Sequence, residues 1–565
     1  RIQPEVEEAN DFLCKQLGFN SGNLFGNKLK KWVFSWTKPI HKSTLFFDIM
    51  KMKPVSETST GAPAVDKLFI AQYENTNRIV SLFKEYQKIN KVRTSYLKSW
   101  FSLLSSNPDC ILDHKLRPDY AFYNVTTGRL ASRNPSLQTI PQHSDISDIL
   151  KRVFSAPPGC ILLHYDYSAQ EVRTWGIVSH DAKIADTFRQ GQTLRKIFIK
   201  DPSPENLDNV KKKGDVHILN VKLFFNKVID KKDPLRHAIK AVVFGTLYGK
   251  GAKTLGEDTK QPDISALRKK IKELFFKLDN LQNPKERQPF EKELNVLKKD
   301  LDKLVKEDKT DYAQHIIDKM FSIFTKGKKW SDYMKHSAEK RGYVYSPIGR
   351  IRHLPSVFIS DKSGIAKQIR RGSNAPIQGF ASEIAVKASR LSLITYYKEF
   401  KTIANMLGIE QRAWELKPEC CRIVHDASYY AIPYCMVLPF LHIMQYMATY
   451  GVAQDYKDKF GFSFNIEPEI EVEMGVKDDK AYTWNWSLTH LYECLNNLVD
   501  DLEKEKKLID RNGKALSKEE VKEMIFKPYK DKKVIHYLQS KFPLLGVNDL
   551  EKEIFDVFNR PDHSC

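Results

Sequence analysis

Two aspartates stand where apolar strands run out. In CRIVHDASYYAIP (421–433), Ile423-Val424 and the run 428–432 flank His425-Asp426, which predicts a tight β-hairpin with a carboxylate at its tip. In GCILLHYDYSAQEVRTWGIVSHD (159–181), the apolar run 160–163 follows Pro157-Pro158-Gly159 and reads as a buried strand with Asp166 just past it. Carboxylates brought within a few ångströms of each other repel unless a cation lies between them. Oxygen ligands of this hardness suit Mg²⁺. A pair of Mg²⁺ ions between two aspartates is the clamp used for in-line displacement at phosphorus. Taken singly, either aspartate is equally at home as a turn residue.

A third stretch favours the chemical reading. DPLRHAIKAVVFGTLYGKG (233–251) opens on Asp233-Pro234, a cap and first-turn pair, and closes on Gly249 and Gly251. Between them Arg236, Lys240, Phe244 and Tyr248 recur every four residues. Each step of four drifts only about 40° around a helix, so all four share one slowly turning stripe. Two cations followed by two aromatics suit a nucleotide, the cations for phosphates and the rings for base and sugar. A helix stripe is more often core, but Arg and Lys make poor core residues.

The elements that carry these groups belong to a chain of 565 residues, long enough for several domains and a large core. Its 41% hydrophobic and 28% charged residues are those of an ordinary globular protein. Its net charge of +21, from 91 Lys and Arg against 70 acids, points to a polyanionic partner, with nucleic acid first. The eight cysteines include no CxxC spacing, which argues against a zinc site or a disulfide framework and for a reducing compartment. No apolar run reaches membrane-span length and no signal peptide is visible, so an intracellular, non-secreted protein without a membrane partner is expected. The chain begins at Arg1 rather than Met, which predicts a fragment or processed product.

The combination resembles family A DNA polymerases, the bacterial DNA polymerase I type. DYSAQEVR (166–173) resembles their motif A, the 236–249 helix their motif B on the fingers, and VHDAS (424–428) their motif C. TGRLASRNPSLQTIP (127–141) resembles the primer–template segment, and GDVHIL (214–219) the segment with a phosphate-binding His. GYVYSPIGRIRHLP (342–355) and RRGSNAPIQGFASEI (370–384) complete seven matches in family order, and the resemblance covers roughly residues 1–485.

The resemblance implies an α+β right-hand fold. It has an incomplete thumb (1–120, through ETSTGAPAVDKL at 57–68), a palm of antiparallel sheet (121–180 and 376–485) and mostly helical fingers (181–375). It implies primer extension with deoxynucleoside triphosphates, with catalytic Asp166, Asp426 and Lys240. Two Mg²⁺ ions would be held by Asp166, Tyr167 and Asp426. Arg236, Lys240 and His217 would meet the triphosphate, and Phe244 and Tyr248 the sugar and base. Glu171 matches the glutamate that blocks a ribose 2′-OH. Arg129, Gln138, Arg370, Asn374, Gln378 and His425 match residues lining the primer–template. Minor-groove acceptors occur in every base pair, so donors there test pairing without reading sequence.

The pattern departs from the family in places. Ala427 replaces the usual glutamate of motif C, and Ala169-Gln170 replaces the usual Gln followed by an apolar residue in motif A. Residues 258–310 are extra. Ile264, Leu267, Ile271, Leu274, Leu278 and Leu281, then Phe290, Leu294, Leu297, Leu301 and Leu304, keep heptad spacing and predict an antiparallel helical hairpin on the fingers. A helical extension, 486–565, follows, with LTHLYECLNNLVDDLEKE as its clearest helix. Either addition suits a processivity or replisome partner, and the departures suit a phage or other divergent replicative enzyme, in the host cytoplasm if phage-encoded. No exonuclease segment with paired carboxylates is read in the chain. Two other readings stay open: a single-subunit RNA polymerase, whose His-Asp is also followed by a small residue, and a non-catalytic DNA-binding scaffold of the same fold.

Overall fold

The computed structural model describes residues 35–558 except 59–60, 75–76, 114, 123, 141–144, 232, 282, 360, 410–414, 546 and 548. The first part of the expected thumb, 1–34, the Ser59-Thr60 step and the end of the extension, 559–565, lie outside the described residues. The chain divides into two compact units, Arg1–Pro118 with Lys260–Glu307, and Asp119–Thr259 with Asp308–Cys565.

In the first unit, the Lys67–Tyr73 and Arg78–Val92 helices begin at side-chain caps. Asp66 accepts from the Leu68 and Phe69 N–H groups, and Asn77 from those of Ile79 and Val80. The helices close over Trp36, Phe46, Phe69 and Phe83, with Leu45, Ile70 and Val80 between the rings. The predicted hairpin is present as Ala252–Asn280 and Pro284–Lys306, the second helix capped by Asn283. Ile264, Ile271, Leu274 and Leu278 meet Leu294 and Leu301 along its seam. The buried Lys260 ammonium donates to the Val305 and Glu307 carbonyls at 3.1 and 2.6 Å, so the start of one helix lies beside the end of the other. The first helix begins already at Ala252, ahead of the expected boundary at 258. Lys260–Glu307 groups with the N-terminal segment rather than with its flanking residues, and Arg268 pairs with Glu74 at 3.0 Å.

The second unit holds all nine strands found among the described residues. They are β1 (Asp119–Ala121), β2 (Ala131–Arg133), β3 (Cys160–Tyr167), β4 (Tyr343–Tyr345), β5 (Ile351–His353), β6 (Glu419–Val424), β7 (Ala427–Pro433), β8 (Ile470–Lys477) and β9 (Lys480–Thr483). β1 pairs with β2 and β4 with β5; the others form one antiparallel sheet in the order β6-β7-β3-β8-β9. The pleat sends Ile161, Leu163, Tyr165 and Tyr167 of β3 into the main core and leaves Leu162, His164 and Asp166 on the opposite face. The Lys362–Met406 helix lies on the core side, where the Tyr430 hydroxyl donates to Ser389 Oγ at 2.8 Å. That helix runs unbroken across 375/376, so the expected fingers–palm boundary falls inside an element rather than in a linker. Gly379 lets the 124–128 loop approach it: a Cβ there would meet the Thr127 carbonyl at 2.6 Å.

The C-terminal extension completes this core. Helices Leu488–Lys504, Lys518–Lys530, Lys532–Lys541 and Leu550–Phe558 contribute Leu491, Leu495, Leu498, Val521, Ile525 and Leu538 to it. On the Val437–Tyr446 helix, the buried His442 donates from Nδ1 to the Phe542 carbonyl at 2.9 Å. Its Nε2 accepts from the Tyr529 hydroxyl at 2.8 Å. The observed class is α+β, as expected.

Candidate active site

β3 delivers Asp166, and the β6–β7 turn delivers Asp426. Register pairs Asp166 with Ala427 on one side and with Glu471 on the other. Val424 pairs with Ala427, leaving His425-Asp426 as a two-residue turn. His425 adopts a φ of +56°, the left-handed conformation that such turns require. The turn therefore lies beside the end of β3, and the two carboxyls sense each other. Asp166 is open at its tip, yet its surroundings push it up to about 8, through burial first, then Asp426 and Glu471. Asp426 is raised as well, by burial, with Arg129 opposing.

This donor set fits a hard divalent cation. Two carboxyls whose charged forms are disfavoured together are relieved by one. Among the described residues no three carboxylate, imidazole or thiol side chains form a group able to hold a metal ion by themselves. Mg²⁺ needs no such cage, because one or two carboxylates with substrate phosphates and water complete its shell. Tyr167 can contribute only its carbonyl, since its ring is buried and its hydroxyl donates to the Ala448 carbonyl at 2.6 Å.

The Pro234–Leu247 helix carries the expected stripe. The Asp233 side chain accepts from the Leu235 N–H at 2.7 Å, and Gly249 ends the helix at a φ of +71°. Arg236 donates to Asp215, which also caps the Val216–Phe225 helix through the His217 and Ile218 N–H groups. His217 is buried with its ring centroid 5.6 Å from that of Phe244, and its Nδ1 has no partner. Burial, helped by Lys240 and Arg236 against the pull of Asp215, holds this imidazole down at about 4. Lys240 is exposed and forms no ion pair among the described residues.

Tyr248, 40% exposed just past the helix end, donates to Glu171 Oε1 at 2.7 Å. Arg129 pairs with the same oxygen, while Glu171 Oε2 is buried without a partner. Burial raises Glu171, and the Tyr248 hydrogen bond and the Arg129 charge oppose it. The Gln170–Ser179 helix, the 127–141 segment and the end of the Pro234–Leu247 helix thus meet on one carboxylate.

The expected primer–template residues fall into two groups. Gln138 accepts from the Ser132 N–H at 2.9 Å and donates to the Ile423 carbonyl at 3.0 Å, so it braces the hairpin that bears Asp426 and keeps one N–H to spare. His425 is exposed at the turn, and partial burial and Arg129 lower its imidazole from the ordinary value, against the pull of Glu171. Arg370, Asn374 and Gln378 share one face of the Lys362–Met406 helix. Arg370 is exposed; Asn374 and Gln378 are buried, and Asn374 Oδ1 has no partner.

Three residues here escaped the sequence reading. Glu471 lies opposite Asp166, and Asp215 holds Arg236. The Tyr120 hydroxyl accepts from the Ile423 N–H at 3.0 Å, beside Gln138. The carboxylate alternation in EIEVEMG (469–475) and the cap position of Asp215 before VHIL were the available signals; Tyr120 gave none.

Residues 30–283 match the model of DNA polymerase family A. The thermostable DNA polymerase I of Thermus aquaticus is 22% identical over 342 residues, 60% of this chain and 32% of that protein. The DNA polymerase of Escherichia phage T5 is 25% identical over 393 residues, 68% of this chain and 38% of that protein. The chain thus spans about a third of the length of the curated relatives it matches. Among solved structures, the POL domain of Pol1 from M. smegmatis, in complex with DNA primer-template and dNTP, superposes with a TM-score of 0.57. It is 18% identical, and the match covers 85% of this chain and 65% of that one. The fold is that of a polymerase domain.

Proposed function

We propose that this chain is a family A, template-directed DNA polymerase that joins deoxynucleoside triphosphates to a primer 3′-OH and releases pyrophosphate. The observation that carries the reading is the strand register. It sets Asp166 beside the Asp426 turn, with Glu171, Tyr248 and the Arg236–Lys240 face assembled in the same unit. Two Mg²⁺ ions bound by Asp166, Asp426 and the Tyr167 carbonyl would activate the 3′-OH and neutralise charge on the triphosphate and leaving oxygen.

The protein groups divide the remaining work. Lys240 offers an unpaired ammonium to the triphosphate, and Arg236 a guanidinium aligned by Asp215. His217, kept neutral, offers a hydrogen bond rather than a charge. Phe244 and Tyr248 take the base and sugar. Glu171, fixed by Tyr248 and Arg129, occupies the space a ribose 2′-OH would need. Arg129, His425, Arg370, Asn374, Gln378 and the spare Gln138 N–H face the primer–template. In this reading the thumb is 1–120, the palm 121–180 and 376–485, and the fingers 181–375.

Ala427 favours a second reading, the single-subunit RNA polymerase. Primer extension on a defined template with Mg²⁺ separates them. Extension by deoxynucleotides alone, lost in Asp426→Asn with DNA binding intact, supports the DNA polymerase; free use of ribonucleotides by the native chain refutes it. DNA binding without any extension, in Mg²⁺ or Mn²⁺, leaves a scaffold.

A further inference from the structure

Three carboxylates alternate along one face of the β8 segment, at Glu469, Glu471 and Glu473, while Ile470, Val472 and Met474 point into the core. The outer two have partners. Glu469 is buried against Arg173 at 2.9 Å and also pairs with Arg195. Glu473 meets His164 Nε2 at 3.1 Å and accepts from the Thr483 hydroxyl at 3.0 Å. The middle one, Glu471, is exposed and forms no hydrogen bond or ion pair among the described residues, its one cationic neighbour being the Arg195 guanidinium, which it acts on through charge alone. It is also the residue that register sets directly across from Asp166.

Directly opposed residues on neighbouring antiparallel strands point to the same face, with Cβ atoms about 5 Å apart. A free carboxylate there is a like-charge cost to Asp166 unless it serves a cation. On the other side of Asp166, the β7 residue at the same level is Ala427, which has no group to offer. The two flanks of Asp166 are thus one position without a polar group and one carboxylate that accepts no hydrogen bond among the described residues.

We propose that Glu471 is a positioning residue for the metal-bearing aspartates, supplying from β8 the carboxylate that Ala427 cannot supply from β7. Since no three side chains among the described residues form a complete ion cage, Glu471 acts by accepting hydrogen bonds from water ligands of the cation held by Asp166 and Asp426. Removing such an outer partner weakens metal affinity by about tenfold or more. The assignment rests on the polymerase reading above.

The test is Mn²⁺ titration of the full chain by electron paramagnetic resonance, with and without primer–template, alongside the Mg²⁺ half-saturation of primer extension. In Glu471→Gln, Mn²⁺ affinity falls about tenfold and the Mg²⁺ requirement rises in step, with primer–template affinity unchanged. Adding Ala427→Glu to that variant restores both. Unchanged Mn²⁺ affinity in Glu471→Gln, with affinity lost in Asp426→Asn, overturns the role of Glu471 alone. Failure of Ala427→Glu to restore the variant overturns the exchange of roles between the two positions. Unchanged Mn²⁺ affinity in Asp426→Asn removes the polymerase reading beneath both.

Discussion

Tyr248 donates a 2.7 Å hydrogen bond to Glu171, so the residue that ends the Pro234–Leu247 helix holds the carboxylate at the start of the Gln170–Ser179 helix. Arg129 grips the same oxygen from a third segment. Glu171 is therefore a fixed wall.

Tyr248→Phe removes one grip and keeps the ring. Discrimination against ribonucleotides, measured as the ratio of kcat/KM values for a deoxy- and a ribonucleotide, falls about tenfold, the worth of one hydrogen bond to a charged group. Glu171→Ala lowers it further. An unchanged ratio in Tyr248→Phe would show that Arg129 alone suffices.

Asp166 makes stability depend on pH and metal. The folded protein holds its proton up to about 8, whereas the unfolded chain releases it near 3.8. Its contribution is therefore present at low pH and lost as pH rises through that window. Without metal, Asp166→Asn melts above the parent at pH 8 and level with it at pH 4. Mg²⁺ raises the melting temperature of the parent at pH 8 more than that of the variant. Calorimetry showing the same difference at both pH values would refute this.

His442 works in the opposite sense. Buried between Tyr529 and Phe542, it is held down at about 4 from an ordinary 6.5. The unfolded chain takes up a proton first, so stability drops as pH falls from 6.5 towards 4, by up to about 3 kcal/mol. His442→Gln flattens part of that slope in denaturant titrations; His217, held low in the same range, keeps the rest.

The Ala252–Lys306 hairpin begins and ends at one place, since Lys260 reaches the Val305 and Glu307 carbonyls. A short Gly-Ser link can therefore replace residues 260–307. Single-nucleotide addition persists, while processivity or strand displacement falls. Equal performance in both assays would mark the hairpin as a surface addition.

Much of this was legible in the chain. The apolar runs flanking His425-Asp426 gave the β-hairpin, Asp233-Pro234 and Gly249 bounded the Pro234–Leu247 helix, and heptads gave a helical pair expected over 258–310 and found over 252–306. What escaped depended on partners distant in sequence. Nothing local to Asp166 shows that Glu471 will be its neighbour, because register is settled by pairing. The Lys362–Met406 helix runs through Pro376, a residue that reads locally as a break. The extension reads as charged, amphipathic helices, and only the core it completes shows which faces are covered.

The strand order carries a consequence for how the chain is made. β3 is the central strand, yet its two neighbours, β7 and β8, are synthesised about 260 residues or more after it. One edge of this apolar strand stays unpaired until β7 is made and the other until β8 is complete at residue 477, and the Leu488–Lys504 helix that packs into the core comes later still. Such exposure is the condition under which nascent chains aggregate or recruit chaperones. The five-stranded sheet therefore assembles only after residue 470, and a chain stalled between residues 167 and 470 presents an open strand edge.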